Sequence, residues 1–269
     1  MSRLRILLYE TPDDPYRNLA FEEAFFLARH YDLTKDDTLR IWRNANAVIV
    51  GYFQYAKEEV RMDALERIGA KVVRRFTGGG AVYHDLGNIN YAITVKKEIL
   101  PEETLVDSLY KFLLSGAINA LRKIGVEARI ENVNDIVAGD RKISGCAAKY
   151  MKNTLFLHGA LLVSTDLSKL ASVLKISKKK LADKGVASVK YRVTTLTNLL
   201  GRSIGYDEIV NALVEGYREL LNADVYFDLP SREELLLAQR LYKKYTSDEW
   251  NFERAPSWKF KGLIEDIIG

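Results

Sequence analysis

The sequence is poor in the residues that build cross-links, metal cages and membrane spans. It has a single cysteine, Cys146, among 269 residues, so no internal disulfide can form, which fits a reducing compartment. Its three histidines, His30, His84 and His158, stand at no metal-ligand spacing from one another or from Cys146, which argues against zinc. No apolar run reaches the length of a bilayer span, and the start, Met1 to Tyr9, is broken by charge and is no signal peptide. The expected location is cytoplasmic. A net charge of +4 is a mild excess, short of the clustered basicity of a dedicated nucleic-acid binder. It suits an anionic small molecule or an acidic protein partner. Only two glutamines occur, Gln54 and Gln239, against many Lys, Glu and Tyr, a balance that leans towards a thermophilic source.

The usual phosphate cradles are missing too. No Lys-Ser/Thr follows Gly80, so there is no G-x-x-x-x-G-K-[ST] loop. The dinucleotide pattern G-x-G-x-x-G fits Gly78 and Gly80 only, its third position falling on Tyr83. Both motifs also require a helix next, whereas this loop leads into a strand.

What the chain does hold is Arg74-Arg75-Phe76-Thr77-Gly78-Gly79-Gly80-Ala81-Val82-Tyr83-His84-Asp85. Three successive glycines lose more backbone freedom on folding than any other residues. Such a run is kept where a backbone must take φ > 0 or lie close against something, and the paired arginines make an anion that something. Backbone N–H groups can wrap an anion without either familiar motif. A tight turn with no ligand is the alternative.

Around the loop, elements alternate. Strands are expected at 4–9, 39–42, 48–51, 71–73, 90–95, 126–130, 135–137, 142–144 and 155–163. Helices are expected from Asp13-Asp14-Pro15 onward, over Lys57–Ile68 with Gly69 as its cap, from Pro101 to a stop at Gly125, from Thr165-Asp166 through Val173, over 178–183, from Tyr206 to Leu221, and from Ser231 to about Lys244. Leu105, Leu109, Phe112, Leu113, Ala117, Leu121 and Ile124 mark the longest helix as a core element without function. Gly139-Asp140 makes a tight hairpin. The tail carries Trp250 and Trp258. No repeat or linker appears, so one α+β (α/β-type) domain is expected, with a mixed, largely antiparallel sheet flanked by helices.

Four further features carry chemistry. Lys142 follows the hairpin and precedes Ser-Gly-Cys-Ala, whose small side chains admit a close neighbour; it could offer a point charge to a carboxylate or phosphate, or be a solvated hairpin lysine. His158 precedes Gly159 in an apolar strand and on its own reads as structural. Cys146 is either a small buried residue or a nucleophile activated by His84 or His158. The five lysines between Lys175 and Lys184 read as a solvated face or a docking surface for an acidic partner.

Taken in order, these stretches resemble the lipoate–protein ligase A family within the biotin/lipoate ligase superfamily. The resemblance also takes in Asn18-Leu19-Ala20-x-Glu22-Glu23, Ile41-Trp42-Arg43-Asn44, Val50-Gly51-Tyr52-Phe53-Gln54, Asn134-Asp135, Asp166-Leu167-Ser168-Lys169-Leu170, Ser188-Val189, Arg192-Val193 and Trp250-Asn251-Phe252. It implies a class II synthetase-like catalytic domain over 1–269 and a two-step reaction. ATP and lipoate, with Mg²⁺, give lipoyl-adenylate; the acyl group then passes to a lysine of a lipoyl-carrier domain of the 2-oxoacid dehydrogenase E2 or glycine-cleavage H protein type. By resemblance, Arg75, Gly78, Gly79, Gly80, Ala81, Val82, Tyr83, His158 and Gly159 line the lipoate and adenylate site, and Lys142 is the essential lysine. Asp85, Asn134 and Asp135 could support adenosine or Mg²⁺. Family members that are a single chain carry a further C-terminal domain, expected to be absent here, so a separate small subunit is expected to be needed for adenylation. Cys146 and Phe76 stand where the family usually has small residues, a serine in the first case. The rivals are a cysteine-dependent octanoyl transferase acting on the same carriers, a biotin ligase, and a lipoate-binding protein with a decayed site. One group of octanoyl transferases places its cysteine three residues before the His-Gly, where this chain has Leu155.

Overall fold

Strand β1 (Ser2–Leu7) and helix α1 (Pro15–His30) open the fold, seen in a computed structural model that describes residues 2–99, 106–175, 193–253, 256 and 267. Asp14 caps α1 by accepting from the Arg17 N–H at 3.2 Å, and Pro15 occupies the first turn, where its missing N–H costs nothing. β2 (Asp37–Trp42), β3 (Asn46–Val50), α2 (Ala56–Glu59), α3 (Met62–Arg67), β4 (Lys71–Arg74), β5 (Val82–Asp85) and β6 (Asn88–Lys96) follow. After α4 (Val106–Lys123) come β7 (Arg129–Glu131), β8 (Asp135–Ala138), β9 (Arg141–Met151) and β10 (Thr154–Leu162). The remainder is α5 (Leu167–Val173), α6 (Leu196–Leu200), α7 (Tyr206–Leu221), β11 (Ala223–Asp228), α8 (Arg232–Tyr245) and α9 (Asp248–Phe252).

Eight strands form one sheet in the order β11-β1-β2-β6-β10-β9-β8-β7, parallel across β11-β1-β2 and antiparallel from β2 onward. β4-β3-β5 make a separate small sheet. Alternation along the strands divides the large sheet into two faces. Leu39, Ile41, Tyr91, Ile93, Leu155, Leu157 and Leu161 join Leu113, Leu121, Leu213 and Tyr217 of α4 and α7 in one apolar core. The other face meets α1 and, beyond it, α8, through Trp42, Ala92 and Phe156.

The expected α+β class and largely antiparallel sheet are found. The expected helix over 57–68 is two helices instead. Val60 is extended and bridges to Leu174, and the Arg61 N–H donates to the Val173 carbonyl at 2.8 Å, so a tertiary pairing overrides helical periodicity there. The first strand lies earlier than 4–9, and the 126–130 strand is confined to Arg129–Glu131. The strand at 142–144 is the middle of the much longer β9. β11, absent from the sequence reading, pairs parallel with β1. The start of the longest helix at Pro101, the 178–183 helix, most of the lysine-rich stretch and Trp258 lie outside the described residues.

Candidate active site

The inner face of the large sheet, the one that meets α1, is polar and small where the other is greasy. Reading across the register, Arg40, Ala92, His158 and Ala147 lie in one row and Trp42, Asn90, Ala160 and Gly145 in the next. Alanines and a glycine leave a shallow floor. Over it lies the glycine loop: a Cβ on Gly79 would stand 3.9 Å from the Ala147 Cβ.

Arg75 explains the loop. Its buried guanidinium donates to the Gly78 carbonyl through Nε (3.1 Å) and Nη2 (2.6 Å), to the Gly80 carbonyl at 2.9 Å and to the Ile49 carbonyl at 3.3 Å. The peptide plane sets C=O and the following N–H antiparallel. With the carbonyls of Gly78 and Gly80 turned to Arg75, the N–H groups of Gly79 and Ala81 point the opposite way, the arrangement an anion needs. Gly79 sits at φ +91°, and a Cβ there would come within 2.8 Å of Arg75 Nη2. Burial pushes the Arg75 pKa down to about 10, which leaves it charged at neutral pH.

Arg74 has a different task. It is fully buried and donates to the carbonyls of Gly51, Tyr52 and Gln54 at 2.9, 2.8 and 2.6 Å, and to those of Trp250, Asn251 and Glu253 in and after α9. Its own N–H and C=O pair with Asn251 Oδ1 and Trp250 Nε1. Gly51, held by this hub, touches the loop so closely that a Cβ would lie 2.0 Å from the Gly79 carbonyl oxygen.

Two further groups face the same floor. His158 Nε2 lies 2.8 Å from Thr77 Oγ1 and its Nδ1 lies 2.9 Å from Glu22 Oε1. Lys142 Nζ pairs with Asp135 at 2.6 Å and lies 3.0 Å from where a Cβ of Gly145 would be, so the lysine lies close over the bare backbone of that residue. Gly145 and Ala147 are same-face neighbours on β9, which sets the lysine and the loop over positions about 7 Å apart along the strand.

Behind these lies a chain of buried polar groups. Arg40 Nη2 donates to Asn18 Oδ1 (2.9 Å), Asn18 Nδ2 to Asn44 Oδ1 (2.8 Å), and Asn44 Nδ2 meets His84 Nδ1 at 3.2 Å. Burial and the nearby Arg75 charge lower the His84 pKa to about 3, so it is neutral. Glu22 Oε2, His84 Nε2, Asn88 Oδ1 and Asn90 Nδ2 are buried without a hydrogen-bond partner. Each such atom costs about 1–3 kcal/mol.

Some expected site residues fall elsewhere. Tyr83 fills the core of the small sheet, its hydroxyl on Asn46 Oδ1 at 3.1 Å. Ala81 and Val82 carry the loop into β5. Asp85 spends its carboxylate on the Gly87 and Asp166 N–H groups, at 2.9 and 2.8 Å. Asn134 Nδ2 donates to the Cys146 carbonyl at 3.1 Å. Gly159 is on the far face, where a Cβ would stand 2.4 Å from the Tyr91 hydroxyl. Cys146 shares that far face: it pairs with Gly159 whereas His158 pairs with Ala147. Its thiol, 3.3 Å from the Tyr91 hydroxyl, is pushed up by burial. A Cys146–histidine dyad is thereby excluded for His158. Among the described residues no three His, Cys, Asp or Glu side chains cluster as a metal cage, and no helix is long and apolar enough to cross a membrane.

Glu22, Thr77, Arg40 and Asn18 join the site without a role expected from the sequence. A signal existed: Glu22 and Glu23 stand amid Leu19, Ala20, Phe21, Ala24, Phe25 and Phe26, and acids buried among such residues must be partnered.

Residues 14–218 match the family described as Lipoyl protein ligase A/B catalytic domain. The chain belongs to this family. A curated relative, lipoate-protein ligase A subunit 1 of Thermoplasma acidophilum, is 38% identical over 258 residues, covering 92% of this chain and 95% of the relative. A solved bipartite lipoate protein ligase with its E2 lipoyl domain, from the same organism, superposes with a TM-score of 0.85 at 35% identity, covering 96% of this chain and 99% of that one. A T. acidophilum structure with bound lipoic acid gives 0.81 at 34% (94% and 100% covered), and a lipoate-protein ligase A bound with ATP gives 0.82 at 35% (94% and 99%).

Proposed function

We propose that this member of the lipoyl ligase family activates lipoate with ATP and passes the lipoyl group to a lysine of a lipoyl-carrier domain. The observation that carries the reading is the convergence of Lys142 and the glycine loop over one small-residue floor. In the first step the lipoate carboxylate attacks the α-phosphorus of ATP and pyrophosphate leaves. Negative charge grows on the phosphoryl oxygens. The Lys142 ammonium and the outward N–H groups of Gly79 and Ala81 are donors fixed beforehand, the condition for stabilising that charge without reorganisation. In the second step the carrier amine attacks the acyl carbonyl and AMP departs, its charge held by the same donors.

Asp135 is the carboxylate that meets this lysine, and it would hold Mg²⁺ brought with the nucleotide. Mg²⁺ keeps mostly water and phosphate ligands and needs only one or two carboxylates; when bound it neutralises phosphate charge. The lipoyl tail follows the floor towards His158 and the aromatic wall of Phe156 and Phe76, whose rings are 4.9 Å apart. Adenylation uses a separate small subunit, as the relatives' names, subunit 1 and a bipartite ligase, suggest for this chain too. The single buried cysteine fits the cytoplasm.

Pyrophosphate release from ATP, Mg²⁺ and lipoate tests the reading. The chain with its accessory subunit should release it, and the chain alone should release little. Full turnover by the isolated chain would reject the two-subunit arrangement, and no transfer from preformed lipoyl-adenylate would reject the ligase.

A further inference from the structure

The floor under the glycine loop does not end at His158. On the face that meets α1, the paired rows of β9 and β10 run Gly145–Ala160, Ala147–His158, Lys149–Phe156 and Met151–Thr154. The loop stands over the second row. A Cβ on Gly79 would lie 3.9 Å from the Ala147 Cβ, and Thr77 Oγ1 lies 2.8 Å from His158 Nε2. Lys149 and Met151, from the third and fourth rows, line a cavity of about 200 Å³ whose other walls include Phe26, Leu27, Phe76 and Trp250. An apolar cavity of about 150 Å³ holds a benzene ring, so this one has room for several methylene groups. The buried Lys244 in its wall is neutralised by Glu23, whose two oxygens lie 2.9 and 2.7 Å from Nζ.

Phe76 stands at the boundary of the two spaces. It lines the cavity, while its neighbour Thr77 is tied to His158 in the site. Its ring packs on Phe156 of the third row, with centroids 4.9 Å apart, and stacks on Phe26 at 5.6 Å with 17° between the planes. The side chain is buried. A ring clamped from two sides in a close-packed setting is a fixed wall.

Resting on the ligase reading above, we infer that Phe76 is the chain-length stop of the acyl slot. The apolar end of lipoate or octanoate abuts the ring, and the cavity behind it is room that the ring denies to longer acyl carboxylates. Removing the ring joins slot and cavity along one strip of sheet.

The test is calorimetric titration of the wild-type chain, Phe76→Leu and Phe76→Ala with lipoate, octanoate, decanoate and dodecanoate, with thermal unfolding alongside. Wild type should bind dodecanoate about tenfold or more weaker than octanoate, because the added carbons meet a packed ring. In Phe76→Ala each methylene beyond octanoate should instead tighten binding about fourfold, with Phe76→Leu in between. Met151→Trp, added to Phe76→Ala, refills the cavity from its other wall and should cancel the gain, which a general loosening of the site would not allow. Wild type that binds dodecanoate as tightly as octanoate overturns the assignment. So does a Phe76→Ala chain that gains nothing with length, or a gain that survives Met151→Trp. Should Phe76→Ala not fold, an unmoved length preference in Phe76→Leu overturns it equally. A wild-type chain that binds neither lipoate nor octanoate overturns the ligase reading itself.

Discussion

The two faces of the large sheet are made by the same strands, one residue out of phase, and they obey opposite rules. On the α4 and α7 side, Leu39, Tyr91, Leu157 and Cys146 are close-packed, and their worth is burial. On the α1 side, Arg40, Asn90, His158 and Ala147 alternate with them, and four buried polar atoms there or beside it lack protein partners. A protein that gained only stability from its sheet would not keep that second pattern. The contrast teaches that one face is packed for stability alone, while the other joins the α1 core to polar groups left without partners, the pattern that the proposed site requires.

Substitutions should separate the two. Lys142→Ala should have the largest effect, a loss of roughly a hundredfold or more in transfer from lipoyl-adenylate, with thermal unfolding unchanged. An equal loss in melting temperature would show the lysine to be structural. Leu157→Ala, one residue away from His158 but on the far face, should cost about 2–5 kcal/mol in denaturant unfolding while the KM values for ATP and lipoate stay put.

His84 sharpens the comparison through pH. Its folded pKa of about 3 lies below the ordinary 6.5, so the unfolded chain takes up a proton that the folded one refuses. Its contribution to stability is complete above pH 6.5 and is lost as pH falls from there towards 3. Urea midpoints across that window should fall less steeply for His84→Asn, by up to about 1.4 kcal/mol per pH unit. Coincident wild-type and variant curves would show that His84 is not held neutral. Cys146→Ser should have the smallest effect, about 1 kcal/mol of stability, with carrier modification retained. Abolition of modification by this change would restore the cysteine-dependent transferase.

Much of this was readable in the chain because the far face repeats with a period of two and the helices carry their caps. Gly69, Gly125 and Gly139 sit at φ +63°, +85° and +60° as punctuation predicts. The loop was readable because three glycines beside two arginines have few other uses. What could not be read depends on contacts far apart in sequence. Val60 breaks a helix to meet Leu174, and β11 exists because β1 pairs with it. Nothing local distinguishes Arg74 from Arg75, yet one holds the chain's later segment and the other turns the loop's carbonyls. Glu22 and Thr77 find their shared partner, His158, only through the register of β10.

The Arg74 hub has a consequence for the timing of synthesis. Its bond to the Trp250 carbonyl joins residues 176 positions apart. A domain folds as a unit, and the strands around the loop are made long before α9. Three of the six carbonyls that the Arg74 guanidinium holds belong to the 51–54 turn and three to α9 and the residue after it, so the turn that presses Gly51 on Gly79 has half of its anchor in the last part of the domain. The support of the glycine loop therefore reaches into the last part of the chain, although the loop's own residues lie in the first third.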